Sequence, residues 1–578
     1  MPDSDLPEFI QALCDPALHG NPPEGVRLVE THISWVVLTG KYAYKIKKPV
    51  NFGFLDYSTL ALRQFFCMEE YRLNQRLASS IYLGVVTITL DNGHFEIEGT
   101  GTVVEYAVKL KQFDDSCLAD RLLEENQISA GHIDGLAQTL AEFHSHSTFA
   151  TLDDNFGNPE TILCAAEHNF DHLLRLIGQL GSAGNEVTDG KAGIPVGNHD
   201  ERFTLASNLE RIKALMAWTR SEFQKLSGVF LARKKAGSVR ECHGDLHSGN
   251  LVLINGQLIP FDCIEFSEGL RWVDCMSEIA FIFMDIDERG ATDLAWRFLN
   301  RYLEISGDFS GLEVLRFYCV YRALVRAKVA ALKLEKSLEP AQRIALQGQC
   351  QRYLDYAGMV KTHPPILLIT HGFSGSGKSF RAKLLAERLP AIRISSDIER
   401  KRISRIGRSN QGREETTTDL YSESMTRFTY DLLLSHAGLL LKSGFNVILD
   451  ATFLASANRC QCRELASRLG VSFFILDFPT PEAILCKRIA DRKIQGGDPS
   501  DADKSVLELQ FVKADPLDLQ EIANVLTVNT ADNAGIDELM QEINYRKKSL
   551  VVLFRLANQQ AAINFKCFGS VIKDGNKF

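Results

Sequence analysis

Residues 243–262 constrain the fold most, because they combine a polar loop with a strong turn signal. The dipeptide Asn-Gly at 255–256 separates two short apolar runs. This pattern is the clearest local signal for a β-hairpin with a two-residue turn. Pairing the two runs outward from the turn places Asp262 beside Asn250, and carboxylate and amide oxygens together suit Mg²⁺. The stretch therefore predicts a hairpin that carries two metal ligands at its open end.

The loop before this hairpin reads His243-Gly-Asp-Leu-His-Ser-Gly-Asn250, with Asp245 five positions before the amide. That spacing is also found in the H-R-D-x-x-x-x-N catalytic loop of protein kinases. With the downstream Ile-Pro-Phe-Asp262, the motif resembles the aminoglycoside phosphotransferase branch of the protein-kinase-like fold. The resemblance implies that Asp245 positions or deprotonates an acceptor hydroxyl, and that Asn250 and Asp262 hold magnesium on ATP. His243 and His247 are expected to orient the loop. The alternative interpretation of the whole stretch is an ordinary surface hairpin with scattered polar residues.

A pair of strands is predicted at 33–47, with a turn near Gly40. The period of two places Lys45 and Lys47 on one face of the second strand. A kinase-like domain needs one strand lysine to pair with the phosphates of ATP. We assign this role to Lys45, with Lys47 as the fallback, and solvated lysines on an edge strand remain the alternative.

The partner of that lysine is expected on the following helix. Residues 59–78 contain no Gly or Pro and many strong helix formers. Glu70 or Glu69 of this helix would hold the strand lysine. The chain lacks the G-x-G-x-x-G loop of protein kinases, so a shorter turn near Gly40 is expected to cover the phosphates.

The rest of this first region is predicted to be mainly helical. Helices are expected at 132–149, 159–177, 275–285 and 312–334, and the polar segment 178–200 is predicted to be an exposed loop. In the last of these helices Arg322 and Arg326 lie four residues apart. They could bind an anionic acceptor, but a salt-bridged structural face is favoured.

A second nucleotide-binding motif follows the dipeptide at 364–365. The apolar run 366–370 leads into a G-x-x-x-x-G-K-S loop, and a helix is predicted after it. In a P-loop, backbone N–H groups cradle the phosphates, the lysine reaches the β- and γ-phosphates, and the serine hydroxyl binds Mg²⁺. The predicted ATP-binding residues are Gly372, Ser374, Gly375, Ser376, Gly377, Lys378 and Ser379, of which Ser379 is also a metal ligand.

Two acids and two arginines indicate which kind of P-loop protein this is. Asp397 and Asp450 follow apolar runs, so both are expected at the carboxyl edge of a parallel sheet. Arg488 and Arg492 are four residues apart, just before the loop 496–499, and can face a phosphate together. The set resembles P-loop kinases of the zeta-toxin and polynucleotide-kinase type. That resemblance implies that Asp397 is a catalytic base and that the arginines clamp the transferred phosphoryl group.

Alternatives remain for each of these residues. Asp397 could be a helix N-cap, and the arginines a solvated face. Asp450 is a candidate magnesium ligand, although acids are common at strand ends. The basic run 400–413 could receive an anionic acceptor such as a nucleotide or a nucleic-acid end, and a flexible basic loop is equally expected.

Composition limits the function classes. The 578 residues carry a formal net charge of -9, which argues against a large nucleic-acid-binding surface. No run of eighteen apolar residues predicts a membrane span, and the N-terminus does not resemble a signal peptide. The 13 cysteines are scattered without a C-x-x-C pair, which favours free thiols in a reducing compartment. These features predict a cytoplasmic protein.

Together the motifs predict mixed α/β and α+β architecture in two domains. A protein-kinase-like bilobal domain at 1–360 precedes a P-loop NTPase domain with a parallel α/β sheet at 361–545, and 546–578 form a tail of no assigned role. The order resembles bacterial fusions of aminoglycoside phosphotransferase-like and ATP-binding domains.

This resemblance implies an ATP- and Mg²⁺-dependent kinase that acts on hydroxyl groups of a small-molecule acceptor and binds ATP at a second site. The alternatives are a nucleotide-sensing regulatory protein and a nucleic-acid-end kinase that uses the P-loop domain. Nucleic acid is the less favoured acceptor, no membrane partner is expected, and the sequence leaves the oligomeric state open.

Overall fold

The structure is a computed structural model of the chain. The chain divides into two compact units, which we call unit 1 (residues 1–361) and unit 2 (residues 362–578). The structure describes residues 6–20, 22, 25–53, 55–183, 199–334, 339–360, 364–411, 422–495, 503–528 and 535–547.

Unit 1 begins with a short helix and a six-stranded antiparallel sheet. The helix is α1 (Glu8–Leu13), and the strands in order of pairing are β1 (Arg27–Glu30), β2 (Ser34–Leu38), β3 (Tyr42–Lys47), β6 (Thr102–Lys111), β4 (Tyr82–Asp91) and β5 (His94–Ile97).

The alternation of side chains along β3 divides the sheet into two faces. Tyr44 and Ile46 pack into an apolar cluster on one face. Lys45 and Lys47 lie on the other face, where both contact helix α2 (Leu60–Ala78). The period of two therefore separates an apolar layer from a charged layer in a single strand.

The remainder of unit 1 is mainly helical. The helices are α3 (Ala119–Glu124), α4 (Ala130–His146), α5 (Pro159–Ala183), α6 (His199–Lys235), α7 (Glu268–Arg271), α8 (Cys275–Glu288), α9 (Thr292–Ser306), α10 (Leu312–Leu334) and α11 (Pro340–Met359). All residues of α8 from 275 to 286 are buried, as expected for a helix that is apolar around most of its circumference.

The prediction that residues 178–200 form a loop is wrong at both ends of this range. Helix α5 continues to Ala183 and α6 begins at His199, while residues 184–198 lie outside the described ranges. Once a helix is nucleated, each added residue gains one backbone hydrogen bond, so a long helix can extend through a Gly- and Ser-containing segment.

Two small strand pairs frame the segment that carries the first predicted site. β7 (Val239–Glu241) pairs with β10 (Trp272–Asp274), and between them β8 (Leu251–Ile254) pairs with β9 (Gln257–Pro260). The outer pair holds the two ends of the segment together, and the inner pair is the predicted hairpin.

Unit 2 is built on a five-stranded parallel sheet. In order of pairing its strands are β12 (Ala391–Ser395), β13 (Asn446–Asp450), β11 (Ile366–His371), β14 (Ser472–Asp477) and β15 (Val525–Thr527). The helices are α12 (Lys378–Arg388), α13 (Ser396–Gln411), α14 (Glu423–Lys442), α15 (Ser456–Leu469), α16 (Glu482–Gln495) and α17 (Lys504–Lys513), and a further helix covers 535–547.

The predicted fold class is confirmed, with an α+β unit followed by a parallel α/β unit. The central strands of unit 2 are buried along almost their whole length, as expected for a parallel sheet covered on both faces. Strand β14 was not predicted. In the described ranges, no helix is both long enough and apolar enough to cross a membrane.

One arginine fixes the segment that follows β13 in unit 2. Arg459 of α15 is fully buried, and its guanidinium forms a bidentate ion pair with Glu521, at 2.8 and 2.9 Å. The same group donates to the backbone carbonyls of Phe453 and Leu454 at 3.1 and 2.9 Å. Arg459 therefore connects the end of the β13 segment to the chain near residue 521.

We expect Arg459→Ala to lower the free energy of unfolding of unit 2 by about 3–5 kcal/mol, because it leaves the Glu521 carboxylate buried without its partner. Urea unfolding of the full chain, followed by circular dichroism, measures this change. The matched control is Arg468→Ala, an exposed arginine of the same helix, for which a loss below about 1 kcal/mol is expected. Equal losses in the two variants would contradict this account.

Candidate functional sites in the two units

The hairpin of unit 1 has the register that its turn predicted. Residues 251–254 pair antiparallel with 257–260, and Ile254 is opposite Gln257. Both turn residues have positive φ angles, 51° at position 255 and 76° at position 256. An Asn-Gly pair tolerates these angles with little strain, which explains why this sequence closes a two-residue turn.

Asn250 connects the loop to the open end of the hairpin. Its side-chain Nδ2 donates to the backbone oxygen of Asp245 at 2.9 Å and to Asp245 Oδ2 at 3.2 Å. Its backbone oxygen accepts from the N–H of Phe261 at 3.0 Å, which extends the hairpin pairing to the residue before Asp262. The predicted metal ligands Asn250 and Asp262 and the predicted catalytic Asp245 are therefore carried by one connected piece of backbone.

The electrostatic surroundings of Asp245 favour its charged form. Burial opposes ionisation, but His247, His243 and Arg326 outweigh it and lower the pKa of Asp245 below its ordinary value. His247 Nε2 lies 3.5 Å from Asp245 Oδ2. A carboxylate in this state can accept a hydrogen bond from a hydroxyl group at neutral pH.

Asp262 has a strained backbone. Its φ angle is +66°, in the left-handed region that costs non-glycine residues energy. Its N–H donates to Tyr82 Oη at 3.2 Å, and its Oδ1 accepts from Lys45 Nζ at 2.5 Å. Such strain is found where the surrounding structure holds a functional side chain in one position.

Lys45 joins Asp262 to helix α2. Its Nζ lies 2.8 Å from Glu70 Oε1 in addition to its contact with Asp262. Burial disfavours the charged lysine, but the carboxylates of Asp262 and Glu70 outweigh this effect and raise the pKa of Lys45 well above its ordinary value. Of the two glutamates considered, Glu70 contacts the lysine, whereas Glu69 pairs with Arg72.

Lys47, the fallback for the phosphate-binding lysine, is completely buried. Its Nζ lies 2.7 Å from Glu70 Oε2 and contacts Glu265 and the hydroxyl of Tyr57. A lysine enclosed by two carboxylates in the interior is held by the protein itself. Lys45, whose side chain is 16% exposed, is the lysine of this pair that can reach a ligand.

Glu278 of helix α8 supports the start of the loop. Its Oε1 accepts the backbone N–H groups of His243 and Gly244 at 2.6 and 2.9 Å, and its Oε2 lies 2.7 Å from His144 Nε2. Burial favours the neutral acid, but the hydrogen bond and charge of His144 outweigh it and lower the pKa of Glu278 to about 2. This carboxylate therefore fixes the backbone immediately before Asp245.

Asp285 supports the other end of the loop. Its Oδ2 accepts from the backbone N–H of Ser248 at 3.0 Å and from the Ser248 hydroxyl, and its Oδ1 accepts from Tyr353 Oη at 2.7 Å. The sequence motifs did not identify Glu278 or Asp285 as part of the site. The sequence signal that could have identified them is the presence of acids in a mainly apolar helix, because a buried carboxylate requires hydrogen-bonding or charged partners.

The two arginines of α10 contribute to the structure around the loop. Arg322 is buried, and its Nη1 donates to the backbone oxygen of Gly244 at 3.2 Å. Arg326 Nε donates to Tyr353 Oη at 3.2 Å and lies 3.8 Å from Asp285 Oδ1. These contacts agree with the favoured interpretation of a salt-bridged structural face.

In unit 2 the glycine-rich loop connects β11 to α12. Gly372, Gly375 and Gly377 have φ angles of 145°, 84° and 89°, which glycine adopts without strain. A Cβ on Gly372 would lie 3.1 Å from the carbonyl oxygen of Phe478, and one on Gly375 3.1 Å from that of Leu485. The loop therefore requires glycine for both its backbone angles and its close packing.

The lysine and serine of the motif lie at the start of α12. Lys378 Nζ donates to the backbone oxygen of Phe373 at 2.7 Å, within the loop itself. Ser379 Oγ donates to Asp450 Oδ1 at 3.2 Å. Asp450 is buried and also forms an ion pair with Arg393 of β12, at 2.6 Å. The structure thus brings together Ser379 and Asp450, the two predicted metal ligands, and adds a buried arginine that the sequence did not predict.

A cavity of about 730 Å³ opens beside this loop. Asp397 lines it, but this residue lies in the first turn of α13 and not at the end of a strand, because β12 ends at Ser395. Arg400 Nη1 lies 3.4 Å from Asp397 Oδ1. The predicted residues that line the cavity are Ser374, Gly375, Gly377, Lys378, Ser379, Asp397 and Asp450. Gly372 and Ser376 belong to the same loop but do not line the cavity.

The two predicted clamp arginines lie on α16. Arg488 Nη1 donates to the backbone oxygen of Gly375 at 3.4 Å, so it contacts the P-loop. The side chain of Arg492 and the loop 496–499 lie outside the described residues. Three other parts of the chain also lie outside the described residues: the side chain of Arg408 in the basic run, residue 413, and the tail from 548 onward.

A glutamine from α17 also contacts the P-loop. Gln510 Oε1 accepts from the backbone N–H of Ser374 at 3.0 Å, and its Nε2 donates to Ser374 Oγ at 2.9 Å. Next to it, the rings of Phe373 and Phe511 lie 4.5 Å apart. No sequence motif pointed to Gln510, because its partner is 136 positions away.

Comparison with known proteins supports a relationship over most of the chain. The sequence pattern described as an AAA domain matches residues 367–517. Proteins of Mycobacterium tuberculosis and Mycobacterium bovis, each described as an uncharacterized protein, are 30% identical over 442 residues. The match covers 76% of this chain and 80% of each relative.

Solved structures similar to parts of the chain include three kinases. A choline kinase from Cryptosporidium parvum is 15% identical, with 60% of this chain and 94% of that chain covered and a TM-score of 0.36. An ethanolamine kinase from Plasmodium vivax is 11% identical, with coverages of 57% and 81% and a TM-score of 0.30. A gluconokinase from Sinorhizobium meliloti is 20% identical, with coverages of 32% and 99% and a TM-score of 0.22.

The match to the mycobacterial proteins extends over both units and most of the relatives' length. The chain therefore belongs to the same family as these mycobacterial proteins, and its P-loop lies in the part that matches the AAA domain, residues 367–517 of unit 2.

Proposed function

We propose that unit 1 is an ATP-dependent phosphotransferase that acts on a hydroxyl group of a small-molecule acceptor. The observation that carries this proposal is the convergence of five side chains. Lys45 bridges Glu70 and Asp262, while Asn250 connects Asp245 to the same hairpin. Phosphoryl transfer requires a phosphate-binding cation, metal-binding oxygens and a carboxylate for the acceptor, and this set contains all three.

The donor set fits magnesium and ATP. Asn250 and Asp262 offer the hard oxygen ligands that Mg²⁺ prefers, and Lys45, whose side chain is 16% exposed, offers a positive charge. When bound, magnesium-ATP supplies the phosphoryl group that is transferred. Asp245 receives the acceptor hydroxyl proton at a carboxylate oxygen, which its lowered pKa keeps ionised at neutral pH. Glu278 and Asp285 hold the loop and so keep Asp245 in position.

For unit 2 we propose a second nucleotide site with kinase chemistry. The N–H groups of the P-loop and Lys378 would bind phosphates, Ser379 and Asp450 would hold the metal, and Asp397 would act as the base for an acceptor in the cavity. Arg488 and Arg492 would clamp the transferred group. The supporting observation is that Lys378, Ser379, Asp397 and Asp450 line one cavity of about 730 Å³.

We expect Asp245→Asn to reduce the transfer rate of unit 1 by about 10²- to 10⁴-fold, because the amide cannot accept the hydroxyl proton. Purified protein, magnesium-ATP and a cell extract are combined, and metabolites that gain one phosphate are quantified by mass spectrometry. Asp153→Asn, the same substitution at an exposed site of unit 1, is the control that should retain every product. Wild-type yields from Asp245→Asn for every product would rule out the proposed role.

The two lysines of β3 are expected to respond differently to the same substitution. Lys45→Met should weaken ATP binding to unit 1 by about 1.5–3 kcal/mol through loss of a charge-assisted hydrogen bond. Lys47→Met should instead lower the free energy of unfolding by about 3–5 kcal/mol, because it leaves Glu70 and Glu265 buried without that lysine. Calorimetric titration with ATP and urea unfolding measure the two quantities. A larger affinity loss in a stable Lys47→Met variant would reverse the assignment of the lysines.

Lys378→Ala should weaken nucleotide binding in unit 2 alone. The expected loss is about 1.5–3 kcal/mol from one charge-assisted contact, and transfer products that depend on this unit should disappear. Titration with ATP should then show one site per chain with wild-type affinity and one weakened site, where the wild type has two unweakened sites. Arg388→Ala removes one positive charge from the exposed end of the same helix and should retain both sites. Two unchanged sites in Lys378→Ala would argue against nucleotide binding by the P-loop.

A further inference from the structure

One histidine and two cysteines form a buried cluster in unit 1. A ring nitrogen of His144 and the Sγ atoms of Cys242 and Cys275 all lie within 4.8 Å of one another. The three residues are 4%, 0% and 5% exposed. None of them takes part in the phosphotransferase chemistry proposed above.

The cluster is assembled by three different elements. His144 lies near the end of α4, Cys242 follows β7, and Cys275 begins α8. The backbone of both cysteines is fixed by the antiparallel pair β7–β10. The N–H of Cys242 donates to Arg271 O at 2.8 Å, and the N–H of Cys275 donates to Ser238 O at 2.9 Å. The sulfur atoms are therefore brought together by the fold and not by proximity in sequence.

The donor set matches the preferences of zinc. Thiolate sulfur and imidazole nitrogen bind Zn²⁺ at about 2.3 and about 2.0 Å, so the donor atoms of a tetrahedral site are about 3.3–3.8 Å apart. The distances within the cluster are at most 4.8 Å, so side-chain movements of about 1 Å would be enough to form such a site. Sulfur donors also disfavour Mg²⁺ and Ca²⁺, which prefer oxygen.

Partners for the rest of the coordination are already adjacent. His144 Nδ1 lies 2.9 Å from Tyr302 Oη, and His144 Nε2 lies 2.7 Å from Glu278 Oε2. If Nε2 binds the ion, Nδ1–H can donate to Tyr302, which is the second contact that ligating histidines normally make. Glu278 Oε2 lies next to the histidine ring but outside the group of three mutually close donors, so it would move toward the sulfur atoms to become the fourth donor, while its Oε1 accepts from the loop backbone.

We propose that His144, Cys242 and Cys275 form a structural Zn²⁺ site, with Glu278 as the fourth ligand. Four protein ligands in a buried position leave no open coordination position, so the ion would stabilise and would not react. Glu278 binds the N–H groups of His243 and Gly244, and Cys242 directly precedes that loop. Zinc at this position would therefore fix the start of the loop that carries Asp245.

The test uses the full chain, purified under reducing conditions, stripped of metal by a chelator and then loaded with Co²⁺ or Zn²⁺. We expect one tightly held ion per chain and, with Co²⁺, a thiolate-to-cobalt charge-transfer band together with the visible bands of tetrahedral coordination. Cobalt bound by oxygen ligands at either nucleotide site gives no thiolate band, so the readout is specific to this cluster. Zinc should also protect two thiols of the native protein from alkylation.

Cys242→Ser and Cys275→Ser should each lose the charge-transfer band and the tight ion, while Cys350→Ser, a buried cysteine of α11, should retain both. Circular dichroism verifies that each variant is folded, and the thiol-protection assay on the wild type does not depend on any variant. The proposal is overturned if the wild type shows no thiolate band. It is equally overturned if Cys350→Ser loses the ion to the same extent, or if peptide mapping shows a Cys242–Cys275 disulfide in place of bound metal.

Discussion

The buried charge network around Glu70 is the interaction on which the site of unit 1 depends. Glu70 lies within 2.8 Å of both strand lysines, and those lysines in turn contact Asp262 and Glu265. Three separate segments, strand β3, helix α2 and the chain after the hairpin, are joined by alternating charges. A buried charge without its partner is very costly, so these segments cannot shift relative to one another independently. The network thereby sets where Asp262 lies.

Helix α8 provides the second constraint, because its two acids support opposite ends of the same loop. Glu278 and Asp285 are seven residues apart, which is two helical turns and therefore nearly the same face. Glu278 binds the backbone at 243–244, and Asp285 binds it at Ser248. Both carboxylates are completely buried and have lowered pKa values. The helix thus fixes the conformation of a loop that forms few regular backbone hydrogen bonds of its own.

Local signals in the sequence predicted the hairpin, the P-loop and some of the helices and strands, because each depends on a few adjacent residues. The Asn-Gly turn determined the pairing of 251–254 with 257–260, and the strand preceding Gly372 was predicted from its apolar run. Residues whose role depends on partners far away in the sequence were not predicted from these local signals. Glu265 meets Lys47 across 218 positions, and Gln510 meets Ser374 across 136. No local periodicity encodes such contacts, and they become apparent only when the fold brings the segments together.

Under the proposed function, the two units meet the electrostatic requirement of phosphate binding by different means. In unit 1 the charged and metal-binding groups are side chains, and their geometry depends on strain at Asp262 and on buried ion pairs. In unit 2 the main contribution comes from backbone N–H groups, whose positions follow from the positive φ angles of Gly375 and Gly377. Under the proposed function, Lys378→Ala removes a single contact in unit 2, whereas a new Cβ on Gly372 or Gly375 would change the path of the whole backbone cradle. If both units transfer phosphoryl groups as proposed, acceptor selectivity in unit 1 would arise from side chains around Asp245, and in unit 2 from the residues that line the cavity beside the P-loop.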